Sequence, residues 1–272
     1  MASQQERWQV AGTGAAIYQE HLVPAIFGPW APVLVDLAAP GPGERVRDVA
    51  CGTGIVARAA AARVGPTGRV VGIDLNPGML DVARAFPPLA GATIEWQEGD
   101  AGALPFADAA FEVVLCQLGL QYFPDRSAAL REMQRVLVAG GRLALLVWQA
   151  IDQSPGFALL AEALERRVGA EAAATMRAPF VLGDPEQVQA LIAGAGFRDV
   201  AIRAAVGTVR FASAEDLLRY FVVGSPLAGP VGQASDEARA ALASEFTTAV
   251  RPYVGSEGLA FPIGAYLATG HT

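Results

Sequence analysis

Lysine is absent from the chain, so all twenty of its basic residues are arginine. That removes the Tyr/Lys pair of many nicotinamide-dependent reductases. Beside abundant Ala, Gly and Pro it reads as coding bias rather than chemistry. Charge is sparse: 17% of the 272 residues, with a net charge of −7. The arginines form no stripe, so the electrostatic footprint of a nucleic-acid binder is missing. Two cysteines, Cys51 and Cys116, cannot build a disulfide framework, and neither has a companion metal-ligand pair. No metal site is expected. Although 53% of residues are apolar and mean hydropathy is +0.34, no stretch of about eighteen uncharged apolar residues occurs, which argues against a membrane span. Met1-Ala-Ser-Gln-Gln-Glu-Arg7 lacks the basic-then-apolar layout of a secretory leader. A cytoplasmic protein is expected.

What is present is a rhythm. Residues 15–38 show helical spacing, with Pro24 and Gly28-Pro29 expected to break the run into short helices. From Arg45 onward strands alternate with helices. Strands are predicted at Val46–Ala50, Arg69–Ile73, Thr93–Gln97, Phe111–Leu118 and Arg142–Trp148. Helices are predicted at Ile55–Val64, Met79–Ala85 and Ser127–Leu137, the last capped by Gly140-Gly141. Such alternation implies right-handed crossovers and a parallel sheet. Beyond Trp148 come helical segments near 156–168 and 185–195, a strand over Val200–Phe211, a helix after Ser213 and a last strand over Leu259–Ala268. With no repeat or linker, one domain is expected: a helical lid over 1–44, a cofactor-binding core over 45–150, a helical insertion with a strand on the acceptor side over 151–258, and a final strand over 259–272.

Three runs carry chemistry. Asp48-Val-Ala-Cys-Gly-Thr-Gly54 lies where a strand meets a helix; its glycines let a ligand approach the backbone, and the helix N-terminus favours an anion. A tight ligand-free turn is the plainer reading. Val70-Val-Gly-Ile-Asp74 puts an acid at the second strand end, where it can bind both ribose hydroxyls or simply cap the next helix. Glu98-Gly-Asp100-Ala-Gly-Ala-Leu-Pro-Phe106 ends the third strand. Asp100 is suited to accept a hydrogen bond from an adenine amino group, and Leu104-Pro-Phe106 to wall the base.

Taken in order, Asp48–Gly54, Gly72-Ile-Asp74, Gly99-Asp100-Ala101, Leu104-Pro-Phe106 and Leu130-Arg-Glu-Met-Gln-Arg-Val-Leu-Val-Ala-Gly-Gly141 make residues 45–148 resemble the class I S-adenosylmethionine-dependent methyltransferases. The branch resembled includes quinone C-methyltransferases and many small-molecule enzymes. The resemblance implies a seven-stranded, mostly parallel, Rossmann-like α/β sheet with helices on both faces and an antiparallel last strand beside the fifth. It implies S-adenosyl-L-methionine as cofactor, its methionine end at Gly52 and Gly54, its ribose at Asp74 and its adenine at Asp100 and Ala101. Asp48 orders the glycine loop or meets the cofactor's amino group. Ala50, Leu75, Met79, Gln117, Tyr122 and Tyr18 complete the expected contacts. Two features depart from the pattern: no Asn-Arg or Ser-Gly-His-Arg signature precedes the glycine loop, and Ala139 stands where proline is usual.

Methyl transfer needs alignment and exclusion of water more than a dedicated base. Gln117 and Gln121, in Cys116-Gln-Leu-Gly-Leu-Gln-Tyr-Phe-Pro124, are candidates to orient the acceptor, or else cap the next helix. His21 is the candidate base, or an ordinary helical histidine. Phe27, Trp30, Phe157, Met176, Phe180, Phe211, Tyr220 and Phe221 supply an apolar pocket, core, or both. The expected activity is in-line methyl transfer to a small apolar metabolite, by a monomer or homodimer. The alternatives are a non-catalytic adenosyl-binding protein and an NAD-dependent oxidoreductase.

Overall fold

A computed structural model of the chain describes residues 13–86 and 91–272, so the first twelve residues of the expected lid, and the leader reading at Met1–Arg7, lie outside the described residues. Five strands come first: β1 (Arg45–Val49), β2 (Arg69–Asp74), β3 (Thr93–Glu98), β4 (Phe111–Gln117) and β5 (Leu137–Trp148). Helices cover both faces of the sheet, so neighbouring residues such as Val113 and Val114 are both buried, in different cores. β6 (Arg198–Phe211), β7 (Val254–Gly255) and β8 (Gly258–His271) complete the sheet. The strand order is β3-β2-β1-β4-β5-β8-β6, with the two-residue β7 hairpinned onto β8. β1 to β5 pair in parallel, and β8 runs antiparallel to β5 and β6.

The chain leaves β1 toward β2 on one side and returns to place β4 on the other. That reversal opens a crevice beyond the carboxyl ends of β1 and β4, where open α/β sheets hold their ligands.

Two local expectations change. Residues 14–38 stay helical throughout, but the run is segmented as expected at Gly28-Pro29, where a 3-10 turn over Gly28–Trp30 precedes the helix Ala31–Ala38. The run's turn widens to a π-helix over Tyr18–Phe27, around Pro24, whose nitrogen has no hydrogen to donate. By length and composition this run could cross a membrane, at mean hydropathy 1.3, yet Leu22, Ile26, Trp30 and Leu34 are buried in the core. Second, Gly140-Gly141 does not cap the preceding helix, which spans Arg126–Arg135. Both glycines lie inside β5, because Ala109 and Ala110 donate their N–H groups to the Arg135 and Val136 carbonyls and Leu137 already pairs with Phe111.

The insertion holds helices at Pro155–Arg167, Ala170–Arg177, Pro185–Gly194, Ala214–Val223, Ala228–Gln233 and Asp236–Ala249. Ala170–Arg177 and Asp236–Ala249 escape a periodicity reading because their apolar residues are mostly alanine.

Candidate functional site

One cavity opens on the carboxyl ends of β1 to β4. Ala50 and Gly52 follow β1, Asp74 ends β2, Asp100 and Ala101 follow β3, and Gln117 ends β4; all line it. Four neighbouring strand tips therefore face one space, about 14 Å across at roughly 4.8 Å per strand. Leu75 and Met79 add an apolar wall on the β2 side, and Tyr18 and Tyr122 close it from the helical run and the turn after β4.

The backbone there is strained. Ala50 and Leu118 both hold a left-handed φ, +56° and +60°, and both line the cavity. A side chain at positive φ costs about 1–2 kcal/mol, so the surrounding structure must impose it, as it does at ligand sites.

Asp74 locks two loops together. Its Oδ2 accepts the Gly52 N–H at 2.7 Å and its Oδ1 accepts the Asn76 N–H at 2.8 Å. Each oxygen keeps a lone pair for a further donor. Asp74 does not cap the following helix; Asn76 does, accepting from Gly78 N at 2.9 Å. Burial raises the pKa of Asp74, against the lowering pull of those backbone donors.

Gly52 and Gly54 do different work. A Cβ on Gly52, at φ +53°, would meet nothing within 4 Å. A Cβ on Gly54 would come within 2.2 Å of the Trp96 ring, and Gly54 does not line the cavity. Its place at φ +86° begins the helix Ile55–Val64. Asp48 is also outside the lining and fully buried; its Oδ2 accepts the Ala57 N–H at 2.9 Å. It orders the first turn after the glycine loop. Desolvation pushes its pKa up to about 7.

Gln117 donates through Nε2 to the Phe27 carbonyl at 3.0 Å, joining the β4 tip to the helical run. Its Oε1 is buried without a hydrogen-bond partner among the described residues. Gln121 turns inward, fully buried and away from the cavity, while Tyr122 beside it faces the space. Neither glutamine caps the next helix: Asp125 does, accepting from Ala128 N at 2.8 Å. His21 is not in the lining either. Its ring stacks on Tyr220 at 3.6 Å, one residue before cavity-lining Leu22 on the widened turn. A base at His21 is therefore not supported.

Leu104-Pro-Phe106 does not wall the cavity. Leu104 is buried in the core, and Phe106 lies against Arg47, whose Cζ sits 3.5 Å from the ring centroid. Of the aromatic and apolar candidates, Phe27, Met176 and Phe221 line the space, whereas Trp30, Phe157, Phe180 and Phe211 are core and Tyr220 holds His21. The sequence reading misses Phe123, Thr175, Pro179 and the loop Gly224-Ser-Pro-Leu227. Only that last loop leaves a signal, a Gly/Ser/Pro turn after a helix.

Cys51 and Cys116 are free and buried. Burial raises both thiols, Cys116 to about 12, so neither supplies a thiolate near neutral pH. No cluster of three or more metal-ligating side chains occurs among the described residues.

Residues 47–145 match the family described as Methyltransferase domain. Over these residues the chain is similar to methyltransferase domains. Over 123 residues, 45% of this chain, the domain is 40% identical to an uncharacterized protein of Mycobacterium tuberculosis, 44% of which is matched. Over 119 residues it is 41% identical to the 2-phytyl-1,4-naphtoquinone methyltransferase of Synechococcus elongatus, 51% of which is matched. The chain spans about half the length of the curated relatives it matches. A presumed methyltransferase of Bacillus halodurans superposes over 89% of this chain and 97% of its own, with a TM-score of 0.59 and 25% identity. Beyond the methyltransferase domain, likeness thus extends to the fold of the insertion.

Proposed function

We propose that the chain binds S-adenosylmethionine at these strand tips and catalyses in-line methyl transfer to a small, apolar organic acceptor. One observation carries the reading: both lining carboxylates and the Gln117 amide sit at neighbouring strand tips. Asp100, Asp74, Gly52 and Gln117 follow the strand order β3-β2-β1-β4, a sequence of contacts suited to base, ribose and methionine. Much of the remaining lining is apolar, with Leu22, Phe27, Phe123, Met176, Phe221 and Leu227 beside the hydroxyls of Thr175 and Ser225.

The residues fit such a ligand. Gly52 leaves open the space a Cβ would fill, Asp74 keeps two acceptor positions, and Gln117 holds an unpaired acceptor at the end where an amino group would lie. When bound, the cofactor supplies a methyl group on a positively charged sulfur. The apolar wall excludes water and holds the acceptor's nucleophilic atom in line with that methyl. Tyr18 and Tyr122, their phenols raised by burial, stay neutral and act as hydrogen-bond donors rather than bases. No arginine or histidine lines the cavity among the described residues, which suits an uncharged acceptor.

The Synechococcus elongatus relative is named a 2-phytyl-1,4-naphtoquinone methyltransferase, so a prenylated or aromatic quinol is the first acceptor to try. Calorimetry with S-adenosylhomocysteine and NAD is the first test. Micromolar affinity for the former alone is expected; preference for NAD makes the protein an oxidoreductase. Methyl incorporation from labelled cofactor, screened over metabolite extracts, then separates an enzyme from a non-catalytic adenosyl binder.

A further inference from the structure

The run Leu130–Gly141 carries part of the family pattern, yet none of its side chains lines the cavity. Two of its charged residues grip the loop that does. Arg135 donates through Nη1 to the Phe106 carbonyl at 2.8 Å and to Asp108 Oδ1 at 2.7 Å, and through Nη2 to the Leu104 carbonyl at 3.0 Å. Glu132 is held by Arg135 Nε at 2.7 Å and Nη2 at 2.8 Å. Through Oε2 it accepts the Leu104 N–H at 2.7 Å.

These bonds matter because the loop has little else. Between Asp100 and Asp108 only Ala101 and Leu104 are buried, and Gly102, Ala103, Pro105, Ala107 and Asp108 are exposed. The chain there forms no helix or strand; within it Ala103 N bonds the Asp100 carbonyl at 3.2 Å and Phe106 N the Leu104 carbonyl at 2.8 Å, and its remaining backbone groups depend on partners outside. Gly99 N bonds the Asp74 carbonyl at 3.1 Å at one end, and Ala109 N bonds the Arg135 carbonyl at 3.1 Å at the other. In between, the Glu132–Arg135 pair takes both the N–H and the carbonyl of Leu104. From below, the buried Arg47 guanidinium supports the Phe106 ring.

What the loop presents is Asp100. Its Oδ1 accepts the Gly102 N–H at 2.8 Å, which fixes the carboxylate and leaves Oδ2 for a ligand. We propose that Glu132 and Arg135 are positioning residues for base recognition: from outside the cavity they fix the Asp100–Phe106 loop so that Asp100 accepts a hydrogen bond from the exocyclic amino group of the bound nucleoside. The proposal rests on the adenosyl reading of the site. Arginine is suited to the task because its planar fork serves two carbonyls and a carboxylate together, which a lysine ammonium does not reproduce.

The test compares S-adenosylhomocysteine with S-inosylhomocysteine, which carries an oxo group in place of the amino group. An oxo oxygen facing Asp100 sets two acceptors against each other, so the wild type should prefer the adenosyl ligand by about tenfold or more in calorimetric titration. Arg135→Met should bring the ratio to within about threefold, chiefly by weakening the adenosyl ligand, with Arg135→Lys intermediate. A role in folding alone would weaken both ligands in parallel and keep the ratio; that result overturns the proposal, as does a wild type without preference. Should Arg135→Met fail to fold, Glu132→Gln, which keeps an oxygen for the Leu104 N–H but breaks the ion pair, is read against the same ratio. If the wild type binds neither ligand, the adenosyl reading itself has failed.

Discussion

The backbone N–H of Gly52 and the Oδ2 of Asp74 lie 2.7 Å apart, so the glycine turn after β1 and the acid ending β2 form one unit. Asp74→Asn keeps one acceptor oxygen but replaces the other by a donor, which cannot accept from Gly52, from Asn76 or from a ribose hydroxyl. Affinity for S-adenosylhomocysteine should fall by about tenfold or more, with a stability loss on the order of 1–3 kcal/mol from the stranded N–H. Unchanged affinity by calorimetry would remove Asp74 from the site.

The two glycines of the turn should separate binding from folding. In Gly52→Ala the new methyl enters open space, so only the left-handed backbone is penalised, by about 1–2 kcal/mol, while ligand affinity drops sharply. In Gly54→Ala the methyl collides with Trp96, and stability should fall by at least about 2 kcal/mol. Thermal melts with and without S-adenosylhomocysteine check this. Equal destabilisation by both variants, or a ligand-induced shift kept in Gly52→Ala, contradicts the assignment.

Asp48 gives a pH dependence of defined sign. Its folded pKa, about 7, stands above the ordinary value of 3.8 because the group is desolvated. Between those values the folded chain holds a proton that the unfolded chain has released, so its contribution to stability declines as pH rises from about 4 to 7. Burial of Asp74 acts in the same direction. Glu44, Glu112 and Glu132, lowered by bonding to Arg142, Arg45 and Arg135, act oppositely and lose stability at acid pH. Asp48→Asn keeps an oxygen for Ala57 N–H and deletes the buried charge. Its melting temperature relative to wild type should climb through this interval, by a few degrees per kcal/mol, about 1–2 kcal/mol being expected by pH 8. A constant difference from pH 4 to 8 would mean Asp48 is ionised throughout.

β1, β2, β4 and β5 are legible as short apolar runs and β3 by its alternating apolar side chains, while the polar tips are legible because Asp74 ends β2 and Gly52 and Asp100 follow β1 and β3. The side chains on helical segments were less so. His21 was placed over the site on ordinary helical spacing, but Pro24 forces a wider turn, and it is Tyr18 and Leu22 that face the cavity. Gln121 and Tyr122 share a 3-10 turn, whose tight rotation buries one and exposes the other to the cavity. Thr175, Pro179 and Ser225 meet only through packing of distant helices, which no local pattern encodes. The motif over Leu130–Gly141 was visible as a pattern, but its grip on Leu104 spans nearly thirty residues and needs the fold to appear.

The helical run carrying Tyr18, Leu22 and Phe27 is one wall of the cavity, tied to β4 by the Gln117 amide on the Phe27 carbonyl and to β5 by Arg142 on the Ala38 carbonyl. Its opposite side buries Ile26, Trp30 and Leu34 in the core, so this wall of the chamber is set by the packing of the fold before any ligand arrives.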